Sequence, residues 1–364
     1  MAYAVGAGNH HAGRHAAQEF RPVDVALPVI SSAGTTMTRR AAPPLWLVPP
    51  SVTLAIMLWG IRSASYSRDE SATMAAVQRP FHGLVRMLVN VDAVHGVYYV
   101  IMWPVVRLLG PGELATRLPS ALAMAAAAAA IFGVGQRLVS TRAGLAAGLV
   151  FAILPPVSLY GQTARPYAMA TALAAIASYL LVRAMQAAAA GDNAAMRGWL
   201  TCYGVCLAAL GYMHMFGLLV AAAHVAPVTR FWSRHAGDRT GKSLAIGWLG
   251  VVAGALAVAS AVVIAGLGQR SALTWLKPRS LAGLTGLTSL IGPRAMAAAA
   301  GAVILCAIGV DAVAGRARLR ADWPGDFIAL CVPWLILPAT ILIVASSLVT
   351  PVYVFRYVVF CTPA

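Results

Sequence analysis

Long apolar runs separated by short polar junctions make up most of this chain, and the first run, 45–61, is followed almost at once by Ser67-Arg68-Asp69-Glu70. Apolar runs that approach 20 residues predict membrane-crossing helices, and shorter ones predict buried or interfacial helices. After the first run, 71–90 reads as one amphipathic helix with Met74, Val77, Phe81, Leu84, Val85 and Leu88 on its apolar side. It is too polar to cross and is expected to lie on the bilayer. Further spans are predicted at about 117–136, 143–159, 167–183, 198–213, 215–229, 244–265, 295–314 and 327–349. With the first they make nine, so the expected fold is an all-α polytopic helical bundle.

The segment 95–109 decides the topology. It is apolar but short, and it carries Pro104 and Arg107. If it does not cross, eleven basic residues (Arg137, Arg142, Arg183, Arg197, Arg230, Arg234, Arg239, Lys242, Arg316, Arg318, Arg320) share one side of the membrane. Six face them on the other after Arg117: Arg165, Arg270, Lys277, Arg279, Arg294 and Arg356. Counting it as a span reverses that bias, and the positive-inside rule therefore keeps it outside. The reading is a multi-pass plasma-membrane protein with a cytoplasmic N-terminus and a long first outer loop that carries juxtamembrane helices.

Composition narrows the class. A chain of 364 residues that is 60% hydrophobic and 10% charged, with a mean hydropathy of +0.76, is not a water-soluble globule. The five cysteines (Cys202, Cys206, Cys306, Cys331, Cys361) sit in apolar runs, with neither a disulfide frame nor zinc-ligand spacing. The formal charge of +16 is dispersed among the spans, which fits membrane lipids as partners and not nucleic acid. Residues 1–42 are polar and aperiodic and predict a disordered cytoplasmic tail, ahead of a transmembrane domain over 43–364. His10, His11 and His15 do not make a metal site by themselves, and Met37 before Thr38-Arg39-Arg40 would serve as a start.

With only 11 acids against 27 Lys and Arg, the adjacent Asp69 and Glu70 beside an apolar run call for a reason. They either open a helix at its first turn or carry chemistry. The topology above brings other polar groups to the same side. These are Arg68, Asp92 and His95 with Tyr98 and Tyr99 in the first loop, Tyr160 through Gln162 and Arg165 to Tyr167, His214 at a span junction, and Arg356-Tyr357. Each alone could be an interfacial anchor or a helix-end residue. Their convergence predicts a functional cavity at the outer leaflet.

Four segments carry a resemblance: Arg68-Asp69-Glu70, Asp92 through Tyr99, Arg117-Leu118-Pro119-Ser120, and Tyr160-Gly161-Gln162 through Arg165-Pro166-Tyr167. Taken in order, they resemble the GT-C integral-membrane glycosyltransferases, specifically the family 39 group of protein O-mannosyltransferases and lipid A aminoarabinose transferases. The resemblance implies transfer of a sugar from a polyprenyl-phosphate donor to a hydroxyl on an outer-face glycan, lipid or protein, usually with inversion. Asp69 matches the family's catalytic acid and would serve as general base, with Glu70 beside it and Arg68 favouring its ionised form. Arg165 and Arg356, then Arg117, would hold the lipid phosphate, and Asp92, His95, Tyr98, Gln162 and Tyr167 would complete the substrate site. His95-Gly96-Val97 stands where mannosyltransferases carry His-Pro-Pro, which weakens an acceptor-holding role for His95. Some relatives hold a divalent metal through carboxylates of the first loop and the third outer turn; here that turn offers Gln162 and no acid, which argues against a metal. No other cofactor is indicated. The chain stops at Phe360-Cys361-Thr362-Pro363-Ala364 as another apolar run begins, which predicts a C-terminally truncated member. The alternatives are a lipid or solute transporter and a non-catalytic relative.

Overall fold

The computed structural model of the protein describes residues 44–269, 323–348 and 355–364, all within the unit Pro43–Ala364. The predicted tail at 1–42, the span at 295–314, Cys306, and the basic residues Arg270, Lys277, Arg279, Arg294, Arg316, Arg318 and Arg320 lie outside the described residues. The fold is all-α, with no strand among the described residues. In chain order the helices are α1 (Val48–Leu58), α2 (Arg68–Val77), α3 (Phe81–Asn90), α4 (Gly96–Leu109), α5 (Glu113–Leu138) and α6 (Thr141–Ile153). They continue with α7 (Pro155–Gly161), α8 (Tyr167–Ala189), α9 (Asn193–Met213), α10 (Leu219–Arg234), α11 (Arg239–Gly268) and α12 (Trp323–Leu348). Short 3-10 turns lie at Leu45–Leu47, Ala93–His95, Met215–Leu218 and Phe355–Cys361.

Five helical stretches among the described residues are long and apolar enough to cross a membrane: Glu113–Leu138, Tyr167–Ala189, Met215–Arg234, Arg239–Gly268 and Gly325–Leu348. A sixth is the broken pair α6 and α7, which meet at 64°. The chain is a polytopic all-α membrane protein. The segment expected at 143–159 as one straight span is bent because Leu154 precedes Pro155 and Pro156, and a residue before proline is pushed out of the helical region. Proline also divides the amphipathic stretch expected as one helix over 71–90. Pro80 ends α2 and starts α3, so the first loop carries two helices there and α4 beyond them. At 14 residues, α4 is about 21 Å long, against a hydrocarbon layer of about 30 Å.

The bundle is organised around α8, which packs against α5, α9, α10, α11 and the C-terminal turn Phe355–Cys361. Its buried residues are largely alanines, Ala168, Ala170, Ala172, Ala174, Ala175 and Ala177 among them. Apolar burial drives little helix association in lipid, and small side chains that let backbones approach do much of that work instead. The α5–α6 contact shows the limit of this approach: a Cβ on Gly144 would lie 2.4 Å from the Phe132 carbonyl oxygen. Because α8 starts at Tyr167 and α5 at Glu113, both feed their N-terminal ends to the end of the bundle where α2 and α4 lie.

Candidate active site

The site is built on a buried floor. Ser67 caps α2 by accepting from the Glu70 N–H at 3.3 Å, and Glu70 Oε2 accepts from the Ser67 N–H at 2.9 Å, a reciprocal capping box. Glu70 does more than cap. Arg117 donates to it through Nε at 2.8 Å and Nη2 at 3.1 Å, and the Ala164 N–H donates to Oε1 at 2.9 Å. The rest of the Arg117 fork donates to the carbonyls of Ile61, Ala64 and Ser65. Glu70 and Arg117 are 3% and 2% exposed. Burial opposes the Glu70 charge, but the hydrogen bonds from Arg117, Ala164 and Ser67 outweigh it and hold its carboxyl below the usual carboxylate range.

The α7–α8 turn is fastened to the same floor. Gln162 Nε2 donates to the carbonyls of Met57 at 2.9 Å and Trp59 at 2.8 Å, closing the open C-terminal end of α1. Ser120 donates to the Thr163 carbonyl at 2.7 Å, and Thr73 donates to that of Ala164 at 3.2 Å. Residues 43 to 105 positions apart in sequence are thereby held in one block. Tyr98 is fully buried behind it.

Above the floor, Asp92, His95 and Tyr99 recur at i, i+3 and i+7 and converge. His95 Nδ1 and Asp92 Oδ1 are 2.5 Å apart, and the Tyr99 hydroxyl donates to Asp92 Oδ2 at 2.5 Å. Arg165 Nη2 lies 3.1 Å from His95 Nε2. A guanidinium has no acceptor, so Nε2 accepts and Nδ1 carries the proton toward Asp92. Burial raises the Asp92 carboxyl, but the hydrogen bonds from His95 and Tyr99 and the nearby Arg165 charge prevail and hold it at about 2. Asp92 is also the one non-glycine residue among those described with a positive φ, 64°, a conformation Asp tolerates better than most.

Arg165 links this triad to Asp69. It is 8% exposed, its Nη1 donates to Thr73 Oγ1 and to the Asp69 carbonyl, each at 3.4 Å, and its Nε is buried with no partner among the described residues. Asp69 itself stands at the rim. Its Oδ2 accepts from Arg356 Nη1 at 2.6 Å, with the two side chains 41% and 25% exposed, and Oδ1 accepts no hydrogen bond from the described residues. This pair joins the first loop to the C-terminal turn across 287 positions of sequence. Beside it Tyr167, Tyr357, Phe216 and Phe360 enclose His214, with ring centroids 5.6 to 5.9 Å from the imidazole.

The structure thus gathers Asp69, Asp92, His95, Arg165, Tyr167 and Arg356 of the expected residues, leaves Arg68 exposed in the first turn of α2, and puts Glu70, Tyr98, Arg117 and Gln162 in the block beneath. Tyr99 and His214, expected at the same side but given no role in the substrate site, join them; the spacing of Asp92, His95 and Tyr99 is a signal for the first. Among the described residues no three His, Cys, Asp or Glu side chains are grouped as metal ligands.

Comparison with known proteins adds to this geometry. Residues 96–264 match the dolichyl-phosphate-mannose-protein mannosyltransferase family. The match supports a likeness to membrane glycosyltransferases of the GT-C type. It runs from α4 through most of α11, taking in Tyr99, Arg117, Gln162, Arg165, Tyr167 and His214, while Asp69, Asp92, His95 and Arg356 lie outside it. No curated protein matches the chain.

Proposed function

We propose that this protein is a glycosyltransferase that moves a sugar from a polyprenyl-phosphate donor to a hydroxyl acceptor at the outer face of the plasma membrane, with Asp69 as general base. The supporting observation is the split environment of that carboxylate: one oxygen is fixed by Arg356 while the other is open at the rim of a site that holds a second guanidinium. A hydroxyl is a weak nucleophile, and a positioned carboxylate that takes its proton as the new bond forms contributes typically about 100- to 10,000-fold. In the proposed step the acceptor O–H proton passes to Asp69 Oδ1 and the acceptor oxygen bonds to the anomeric carbon. The bond from that carbon to the phosphate oxygen breaks, its electron pair stays on the phosphate, and polyprenyl phosphate leaves.

The developing phosphate charge needs preorganised cations in a site of low dielectric. Arg165 and Arg356 supply them, the former with a buried N–H that no described residue accepts. Arg68 is exposed one residue before the base and can approach the lipid headgroup from outside. Asp92, through His95, keeps the Arg165 fork oriented, and Tyr167 lies 6.0 Å beneath that guanidinium. Glu70, Arg117, Gln162 and Tyr98 support these groups from the block beneath.

The test is transfer. Membranes containing the protein are incubated with a polyprenyl-phosphate sugar radiolabelled in the sugar, and label is sought in a new glycosidic bond to an outer-face acceptor. Label that crosses the membrane still attached to its carrier would replace the transferase reading with a transporter.

A further inference from the structure

The end of the bundle away from Asp69 carries a second charged array that sugar transfer does not use. The Arg183 guanidinium lies 4.1 Å from the centroid of Trp199 and 5.9 Å from that of Tyr179, and the Arg137 guanidinium lies 5.6 Å from the same Tyr179 ring. Cation and ring therefore alternate across α5, α8 and α9. Arg183 Nη1 donates to the Tyr179 hydroxyl at 3.0 Å, and Arg137 Nη1 donates to Gln186 Oε1 at 3.0 Å. The stack is built into the packing. Gly133, one turn before Arg137, admits the Tyr179 ring, from which a Cβ would be only 2.7 Å away, and Leu330 of α12 packs with Val134 and Val182 beside it.

The stack lies near the end of a helix long and apolar enough to cross a membrane. Arg183 is 16 residues along α8 from Tyr167, about 24 Å at the helical rise, with six residues of α8 still to come. Aromatic rings with polar edges and cations on long stems settle where acyl chains give way to headgroups. The acids described at this end are engaged elsewhere. Asp192 and Asp238 cap α9 and α11, and Asp326 accepts from Arg230 and Arg234. Arg183 accordingly meets rings and a phenol, and no described carboxylate.

We propose that the Arg137, Tyr179, Arg183 and Trp199 stack binds the phosphate of an anionic phospholipid. A guanidinium whose flat face rests on a ring presents its N–H edge outward, the edge that matches paired phosphate oxygens. Basic pockets between membrane helices take anionic headgroups for this reason.

The test uses the full chain in detergent, titrated with phosphatidylglycerol, phosphatidylcholine or inorganic phosphate, and reads lipid retained by native mass spectrometry together with the unfolding midpoint. Phosphatidylglycerol is retained and raises the midpoint, while phosphatidylcholine and inorganic phosphate at the same concentration do not. Arg183→Gln lowers its affinity at least about tenfold, the size expected for one charge-assisted contact. Arg183→Lys, which keeps the charge and loses the planar stack, falls between, and it carries the comparison if the glutamine variant does not fold. Arg197→Gln removes a charge at the same end outside the stack and leaves affinity unchanged. Equal affinity in wild type and Arg183→Gln, an equal loss in Arg197→Gln, or equal protection by inorganic phosphate would each overturn the proposal.

Discussion

Asp69 and Glu70 are neighbours in sequence, each is matched to an arginine, and the two pairs behave as different kinds of object. Glu70 and Arg117 form a buried floor in which both carboxylate oxygens and all three guanidinium nitrogens are engaged, with three main-chain carbonyls completing the set. Asp69 and Arg356 form an exposed rim in which one carboxylate oxygen is held and the other accepts from none of the described residues. Consecutive positions in the first turn of a helix point about 100° apart, so one faces the bundle and the other the exposed rim. The lesson is that a pair of adjacent acids divides the labour: the buried member fixes the loop so that the exposed member can be aimed.

The strongest way to break this comparison is to attack the floor. Arg117→Met leaves Glu70 buried without its cation, and losing one partner of a buried pair costs about 3–5 kcal/mol. The expected outcome is a large drop in the unfolding midpoint of the solubilised protein, with transfer activity lost only in step with the folded fraction. A midpoint equal to wild type would show that the main-chain contacts of Ala164 and Ser67 suffice, and that the floor does not depend on the ion pair.

The rim answers in activity, not stability. Asp69→Asn keeps the size and removes the basicity, so transfer should fall about 100-fold or more, equivalent to at least about 2.7 kcal/mol of barrier. Its effect on the unfolding midpoint should be small, because a pair this exposed stabilises by at most about 1 kcal/mol. Arg356→Lys keeps the charge but loses the fork, and is expected to raise the donor KM more than it lowers kcat. Full turnover by a folded Asp69→Asn protein would remove the proposed mechanism.

Much of this was legible in the chain, for identifiable reasons. Helix positions followed from apolar runs, since lipid permits few alternatives to a helix. Asp69, Asp92, His95, Arg165 and Arg356 stood out because charge is scarce in this composition. What could not be read was how the arginines are shared out. Arg117, Arg165 and Arg356 look alike as isolated guanidiniums after apolar runs, and only packing shows that the first is enclosed by carbonyls of the loop at 61–65 while the third reaches Asp69. Gln162 is ambiguous in sequence for a similar reason. A polar side chain in an outer turn suggests substrate, whereas its amide closes the end of α1, 103 to 106 positions away. The break at Pro80 was visible and was overridden by an amphipathic pattern that continues in phase across it.

A smaller effect separates a third carboxylate from both. Asp92 is partly buried, with its side chain 32% exposed, and its folded value of about 2 lies below the ordinary 3.8. A depressed carboxyl stabilises the fold above its unfolded value and loses that contribution as pH falls toward its folded value, here between about pH 4 and pH 2. Glu70 shifts in the same direction, so the wild-type midpoint should fall on acidification through both groups. Asp92→Asn removes one of them, and the acid limb should flatten by on the order of 1 kcal/mol after solvent screening. Unfolding midpoints recorded from pH 6 to pH 3 for the two proteins measure the difference. An acid limb of unchanged depth in Asp92→Asn would mean that His95 and Tyr99 do not favour the Asp92 charge, and that Arg165 is oriented without it.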